Sequence, residues 1–495
     1  MSEPMTTFTR LLRARPADVG IPSEAVHAVL DDLQSRGLEM HSLMVVRHGH
    51  VAAEGWWAPY TADRVHLLYS LSKSFTSTAV GFAVAEGRFR LEDRVVDLLP
   101  RYVPEDVDPA VGELTVHHLL SMSTGHREDT LDRAYALDPD DVLGAFLRIP
   151  PDEPVGSRHA YNNSTTYALA TIVEEHTGQP LLAYLHPRLL DPLGIGPARW
   201  DTDHHGGALG FTGLHLQTES IAVFGQLLLQ DGVWHGQRLL PEGWVSLATR
   251  SHIDNDNDPE RPIDWRQGYG YQYWMSRHGY RGDGAFGQFC VVVPGADLVV
   301  ATTACVDDMQ QVLDVLWERL LPALDRGGES DEASRTEYAP EARLLERLAG
   351  LALPVLEPTQ EGPDESVRFV VEGAAADHPL SVGTEVTVTR DGGAHLLRVR
   401  LPSIELAVPC GREHWAEGWL GDGSGVSRGS RGAPPADPTP VVCRGGWTGP
   451  DIFEADLVLI ETPHRIRLRG NGSRLDARWN APPLSGAALE GHLPR

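Results

Sequence analysis

Two residues three apart, Ser70 and Lys73, carry the strongest chemical signal in the chain. Lys73 is the only lysine among 42 lysines and arginines. A guanidinium does not give up its proton in a protein, whereas an ammonium does once burial or neighbouring charge lowers its pKa. Residues at i and i+3 share a helix face, so the Lys73 amine can reach the Ser70 hydroxyl. That pairing is a nucleophile beside its base, the arrangement that forms covalent intermediates.

Two further stretches hold groups of the right kind. Tyr161-Asn162-Asn163 puts a phenol and an amide on one short loop ahead of a helical pattern. A phenol beside an ammonium can have a lowered pKa and relay protons, and an amide can hold the lysine or a substrate carbonyl. The plainer reading is a core tyrosine followed by a helix cap at Asn163 or Ser164. The run Arg281-Gly282-Asp283-Gly284-Ala285-Phe286-Gly287-Gln288-Phe289 is the third stretch. Glycines at the start of a strand allow close backbone approach, and a strand edge can lend an N–H to an oxyanion. The plainer reading is a turn leading into a strand.

The elements that must position these groups follow from periodicity. Val26, Val29, Leu30 and Leu33 predict a helix over 22–37, and 42–47 with 51–57 predict a hairpin through His48-Gly49-His50. After Ser70 the pattern to Val84 is apolar nearly all round, so that helix is expected to be buried on most sides. Ser70 then lies near its N-terminus, where the helix dipole favours a developing anion. A short helix and polar loop follow within 112–130, then helices at 141–148, 165–177, 181–190 and 218–230. Strands are expected at 269–276, 286–293 and 297–304, and a helix at 308–323. The fold class is α+β: an antiparallel sheet flanked by helices, with an inserted helical lobe. Residues 326–365 read as an acidic linker with an amphipathic helix from Pro340 to Leu351. Alternation at 386–389, 398–401 and 466–469 makes 366–495 a second, all-β domain. Gly421 to Pro440 is rich in Gly, Ser and Pro and reads as a loop.

Composition narrows the function classes. A chain of 495 residues exceeds a single core. A net charge of −27 argues against nucleic acid and anionic membranes as partners. No apolar run approaches the ~18 residues of a membrane span, and the start Met1-Ser2-Glu3-Pro4-Met5 has no signal-peptide pattern. Cys290, Cys305, Cys410 and Cys443 show no CxxC spacing, which fits free thiols in a reducing cytoplasm.

Taken together and in this order, the three stretches resemble the serine β-lactamase and penicillin-binding-protein superfamily. The resemblance covers roughly residues 15–325 and is closest to its esterase-like branch: class C β-lactamases, family VIII carboxylesterases and nylon-oligomer hydrolases. Leu119-Leu120-Ser121-Met122-Ser123-Thr124-Gly125, Pro192-Leu193-Gly194 and Phe224-Gly225-Gln226-Leu227-Leu228 carry it as well. It implies Ser70 as acyl-forming nucleophile, Lys73 as its base, Tyr161 as partner base that passes the proton on, and Asn163 orienting Lys73 and substrate. It implies an oxyanion hole at Gly287-Gln288, from the N–H groups of Ser70 and Gln288. The family's usual Lys-Thr-Gly falls on Ala285-Phe286-Gly287, so its cation is missing. Asn162, at the middle of the second motif, is expected to tolerate change. His126 falls in a loop that in the family can border the cleft.

These readings point to a cytoplasmic serine hydrolase acting on a small ester or amide, with no metal or cofactor implied. A β-lactamase or D-peptidase is the rival within the enzymes, and a non-catalytic binding protein on the same fold is the rival outside them. The C-terminal domain is a candidate surface for oligomerisation. Gly425-Val426-Ser427-Arg428-Gly429 fits G-x-S-x-G but lacks the strand and helix such an elbow needs. Asp254 to Asp258 imitates an EF-hand start, yet Pro259 and Trp265 occupy the positions that need Gly and Glu. His117-His118 and His204-His205 lack zinc-site spacing.

Overall fold

The computed structural model describes residues 11–326, 338–402, 405–420 and 438–492. Residues 327–337 of the expected linker and most of the Gly/Ser-rich loop, including Gly425 to Gly429, lie outside the described residues. Two compact units emerge. The first comprises 1–55, 68–200 and 207–350; the second comprises 56–67, 201–206 and 351–495.

The first unit is built on a seven-stranded sheet. Its strands are β1 (Leu12–Arg13), β2 (Glu39–Arg47), β3 (His50–Trp56), β4 (Trp274–Ser276), β5 (Gly279–Gly284), β6 (Gln288–Val293) and β7 (Leu298–Cys305), in the order β1-β3-β2-β7-β6-β5-β4. All pairings are antiparallel except β1 with β3. The runs of Val and Leu in β2, β6 and β7 are buried on both faces, because helices cover the sheet. The helices of this unit include α1 (Ser23–Ser35), α2 (Ser72–Ala85), α3 (Asn163–Thr177), α4 (Thr218–Leu229) and α5 (Tyr338–Ala349). Gly225 lets α4 settle onto the sheet: a Cβ there would lie 2.6 Å from Val299 and 2.8 Å from the Cys290 sulfur. Phe224 of α4 stacks on Phe75 of α2 with ring centroids 4.1 Å apart. From Ser72 through Ala83 every residue of α2 is buried, as its apolar composition requires.

One strand departs from the expectation. Residues 269–276 are strand only at Trp274–Ser276, and β5 is a separate strand from Gly279 to Gly284. Its sequence, Gly-Tyr-Arg-Gly-Asp-Gly, reads as a turn by propensity. The ladder to β6 makes it a strand, with Tyr280 opposite Val292 and Gly284 opposite Gln288. Tertiary pairing overrides local preference here.

The second unit is a nine-stranded sheet from β8 (Val367–Val370), β9 (Glu385–Asp391), β10 (Ala394–Arg400), β11 (Glu405–Cys410), β12 (Ala416–Leu420), β13 (Thr439–Gly449), β14 (Ile452–Val458), β15 (Arg465–Asn471) and β16 (Arg474–Trp479). Its order is β11-β10-β9-β8-β16-β15-β14-β13-β12. A parallel bridge between Gly411 and Arg444 nearly closes it. Alternate residues such as Val386, Val388, Leu397, Val399, Ile466 and Leu468 point into one core filled by Phe369, Trp447, Phe453 and Trp479. A smaller cluster joins Tyr60 to Leu353, Val442, Val458 and Ile460. No described helix is long and apolar enough to cross a membrane.

Candidate active site

Ser70 sits in a single 3-10 turn, Tyr69–Leu71, that runs directly into α2. Tyr69 holds φ at 48°, a left-handed conformation that costs a non-glycine residue about 1–3 kcal/mol. The turn leaves Ser70 only half-buried while Tyr69 and Leu71 on either side are buried. Lys73, one turn on, is 2 % exposed. Its Nζ lies 2.9 Å from Ser70 Oγ, 2.7 Å from Asn163 Oδ1 and 2.9 Å from the Phe211 carbonyl oxygen.

Those three contacts decide what the amine can do. Burial lowers the Lys73 pKa to about 7, against the opposing pull of Asp129 and Asp283. A neutral amine has two N–H groups and one lone pair. The two carbonyl oxygens, of Asn163 and Phe211, accept the two N–H groups. The lone pair is left for the third neighbour, the Ser70 hydroxyl. Among the described residues no carboxylate touches Nζ, so none in direct contact locks the proton on.

Each carbonyl is held in place. The Asn163 backbone N–H and side-chain Nδ2 donate to Asp129 at 3.0 and 2.5 Å. The Phe211 carbonyl follows Gly210, which adopts φ +68° where a Cβ would lie 2.5 Å from that of Ala170. Thr76 of α2 donates to the Gly210 carbonyl at 2.9 Å. Asn162 caps α3: its Oδ1 accepts from the Ser164 N–H at 3.0 Å and from Thr130 Oγ1 at 3.0 Å. Asn162 is therefore a fully buried cap, one residue earlier than the cap expected at Asn163 or Ser164.

Tyr161 stacks on Trp274, centroids 5.4 Å apart and planes within 17°. Lys73 Nζ lies 4.8 Å from the centre of its ring. Burial raises the phenol pKa above its usual value, a hydrogen bond to Ser70 only partly opposing this. The expected lowering by the neighbouring lysine does not occur. Tyr161 is thus held as a neutral phenol.

The third stretch meets the nucleophile through β5. A Cβ on Gly284 would lie 2.1 Å from the Leu68 carbonyl oxygen, and one on Gly282 2.3 Å from Leu71 and 2.9 Å from Ser74 Oγ. Only glycine allows this approach, which brings the β5 backbone against the Ser70 turn. Gly287 and Gln288 do not share it. The Gly287 N–H faces Met309 Sδ at 3.0 Å, and its carbonyl accepts from Thr302 Oγ1. Gln288 lies one strand further in, on β6, with its amide bonded to the carbonyls of Ala285 and Ala304 and to the Ala304 N–H. The stretch of this strand pair packed directly against the Ser70 turn is thus Gly282–Gly284.

β5 also supplies a carboxylate that the sequence reading left unassigned. Asp283 Oδ2 accepts from Arg281 Nε at 2.9 Å, both side chains buried. The Arg281 guanidinium lies 4.1 Å from the Trp265 ring centre and donates to Ser276 Oγ at 2.6 Å. Burial pushes the Asp283 pKa up and Arg281 opposes it. His126 is 1 % exposed, its ring nitrogens against Thr124 Oγ1 and the Ile149 carbonyl, so it packs the interior. Asp129 and Phe211 were also unread. Asp129 lies 34 residues from its partner, and Phe211 acts through a backbone atom that no residue type announces.

Comparison with known proteins identifies the family of the first unit's fold. The Beta-lactamase family model matches residues 10–324. A 6-aminohexanoate-dimer hydrolase from Paenarthrobacter ureafaciens is 28% identical over 60% of this chain and 81% of its own. Esterase EstB from Burkholderia gladioli is 28% identical over 36% of this chain and 54% of its own. Among solved structures, a putative 6-aminohexanoate-dimer hydrolase from Bacillus anthracis superposes with a TM-score of 0.53 at 20% identity, over 66% of this chain and 89% of that one.

Proposed function

Because the chain belongs to the beta-lactamase family and is a serine hydrolase of that fold, we propose that it cleaves a small ester or amide through an acyl-enzyme on Ser70. The observation that carries this reading is the Lys73 amine, 2.9 Å from Ser70 Oγ with its two N–H groups committed to carbonyls. Neutral Lys73 takes the hydroxyl proton as Oγ attacks the substrate carbonyl carbon. The oxyanion is held by the Ser70 N–H and a backbone N–H of the β5 edge. The Tyr161 hydroxyl hands its proton to the leaving oxygen or nitrogen and is reprotonated from the Lys73 ammonium. The carbon–heteroatom bond breaks and the acyl group stays on Ser70. Water then attacks the acyl carbon, Lys73 takes its proton, and Ser70 leaves with the proton returned.

Neutral substrates suit this site. The one buried guanidinium of β5, on Arg281, is committed to Asp283 and is fully enclosed, so it offers nothing to a substrate carboxylate. Turnover of p-nitrophenyl butyrate together with fluorophosphonate labelling at Ser70 tests the reading. Both are expected in wild type and lost in Ser70→Ala. Labelling that persists in Ser70→Ala contradicts it. Nitrocefin turnover exceeding ester turnover would instead favour the β-lactamase reading.

A further inference from the structure

We propose that Asp129 is the positioning residue that sorts the protons around Lys73, by fixing which end of the Asn163 amide faces the amine. The inference rests on the reading of Ser70 and Lys73 as nucleophile and base. An asparagine side chain can present either its oxygen or its NH2 to a neighbour, and the two orientations differ little in shape. Here the choice is functional. With Oδ1 toward Lys73, the amine donates to it and keeps its lone pair for Ser70. With NH2 toward Lys73, the lone pair would be drawn to that NH2 and away from the hydroxyl.

Asp129 makes the choice because an ionised carboxylate only accepts. Its Oδ1 receives the backbone N–H groups of Leu131 and Asn163, each at 3.0 Å. Its Oδ2 receives Asn163 Nδ2 at 2.5 Å. The two backbone bonds fix the carboxylate, and Oδ2 then demands a donor from the Asn163 side chain. The amide NH2 must point to Asp129, so the amide oxygen must point to Lys73.

The isosteric variant Asp129→Asn reverses this logic. Its single carbonyl oxygen is claimed by the two backbone N–H groups. Its NH2 then faces Asn163 and favours the flipped amide, with a donor turned on Lys73. The charged and titratable groups around the amine are Asp129, Asp283 with its partner Arg281, and Tyr161. Asp129→Asn removes one of the two carboxylates that hold the proton on Lys73.

Lys73 gives one resonance in protein labelled with [ε-13C]lysine, because it is the only lysine. In Asp129→Asn we expect kcat/KM for p-nitrophenyl butyrate to fall roughly 10²-fold. Lys73 must be neutral to act, so the acidic limb of kcat/KM follows its pKa, and limb and 13C midpoint should both move to lower pH. In an Asn163→Ala background the same substitution should cost less than about threefold more, because the amide it positions is gone. A midpoint and limb unchanged from wild type, or an equal loss in both backgrounds, overturns the proposal. So does an Asp129→Asn protein without a cooperative thermal melt, which would make Asp129 a loop anchor. Failure of the acyl-enzyme reading shows separately, as wild type that does not label at Ser70.

Discussion

The first unit buries two cations and treats them oppositely. Lys73 is surrounded by a hydroxyl and two carbonyl oxygens, with its carboxylates held one residue away. Arg281 touches a carboxylate directly, at 2.9 Å, and lies on the face of Trp265. Dipoles alone compensate a buried charge poorly, so burial brings the Lys73 pKa down to about 7. A direct carboxylate contact and a guanidinium that does not deprotonate make the second site a fixed ion pair. A cation ligated by neutral acceptors can trade its proton; a cation ligated by a carboxylate holds structure together.

Lys73→Arg breaks the distinction most severely, by placing the second kind of cation in the first site. We expect kcat to fall by roughly 10³-fold or more with the fold retained, read by steady-state kinetics and circular dichroism. Asp283→Asn strips Arg281 of its countercharge. A buried pair broken from one side costs roughly 3–5 kcal/mol, read as a lowered urea midpoint. Tyr161→Phe keeps the stacking on Trp274 and removes the proton shuttle. Activity should fall roughly 10²-fold, with the thermal melt little changed. Asn162→Ala removes the cap of α3 behind the Asn163 acceptor, and should cost about 1 kcal/mol of stability with a smaller effect on kcat.

How much of this the sequence carried depends on what each contact is made of. Ser70 and Lys73 were legible because three residues on one helical turn fix their distance. The alternation of the C-terminal strands was legible because burial follows a period of two, as at Val386 and Val388. The partial closure of that sheet through Gly411 and Arg444 has no local signal. β5 was not legible because Gly279–Gly284 is glycine-rich and becomes a strand only through its ladder to β6. Asp129 was missed because an aspartate in a polar loop looks solvated until its two N–H partners at Asn163 and Leu131 are known. Phe211 was missed because its carbonyl, not its side chain, does the binding.

Lys73 must be a neutral amine near physiological pH to accept the Ser70 proton, and its uniqueness in the chain allows that to be seen directly. A 13C titration of protein labelled with [ε-13C]lysine reports one group. The predicted midpoint is about 7, coincident with the acidic limb of kcat/KM. A midpoint near the ordinary lysine value of about 10.4 would contradict the account, because the residue would then be a permanent ammonium with no lone pair to offer Ser70.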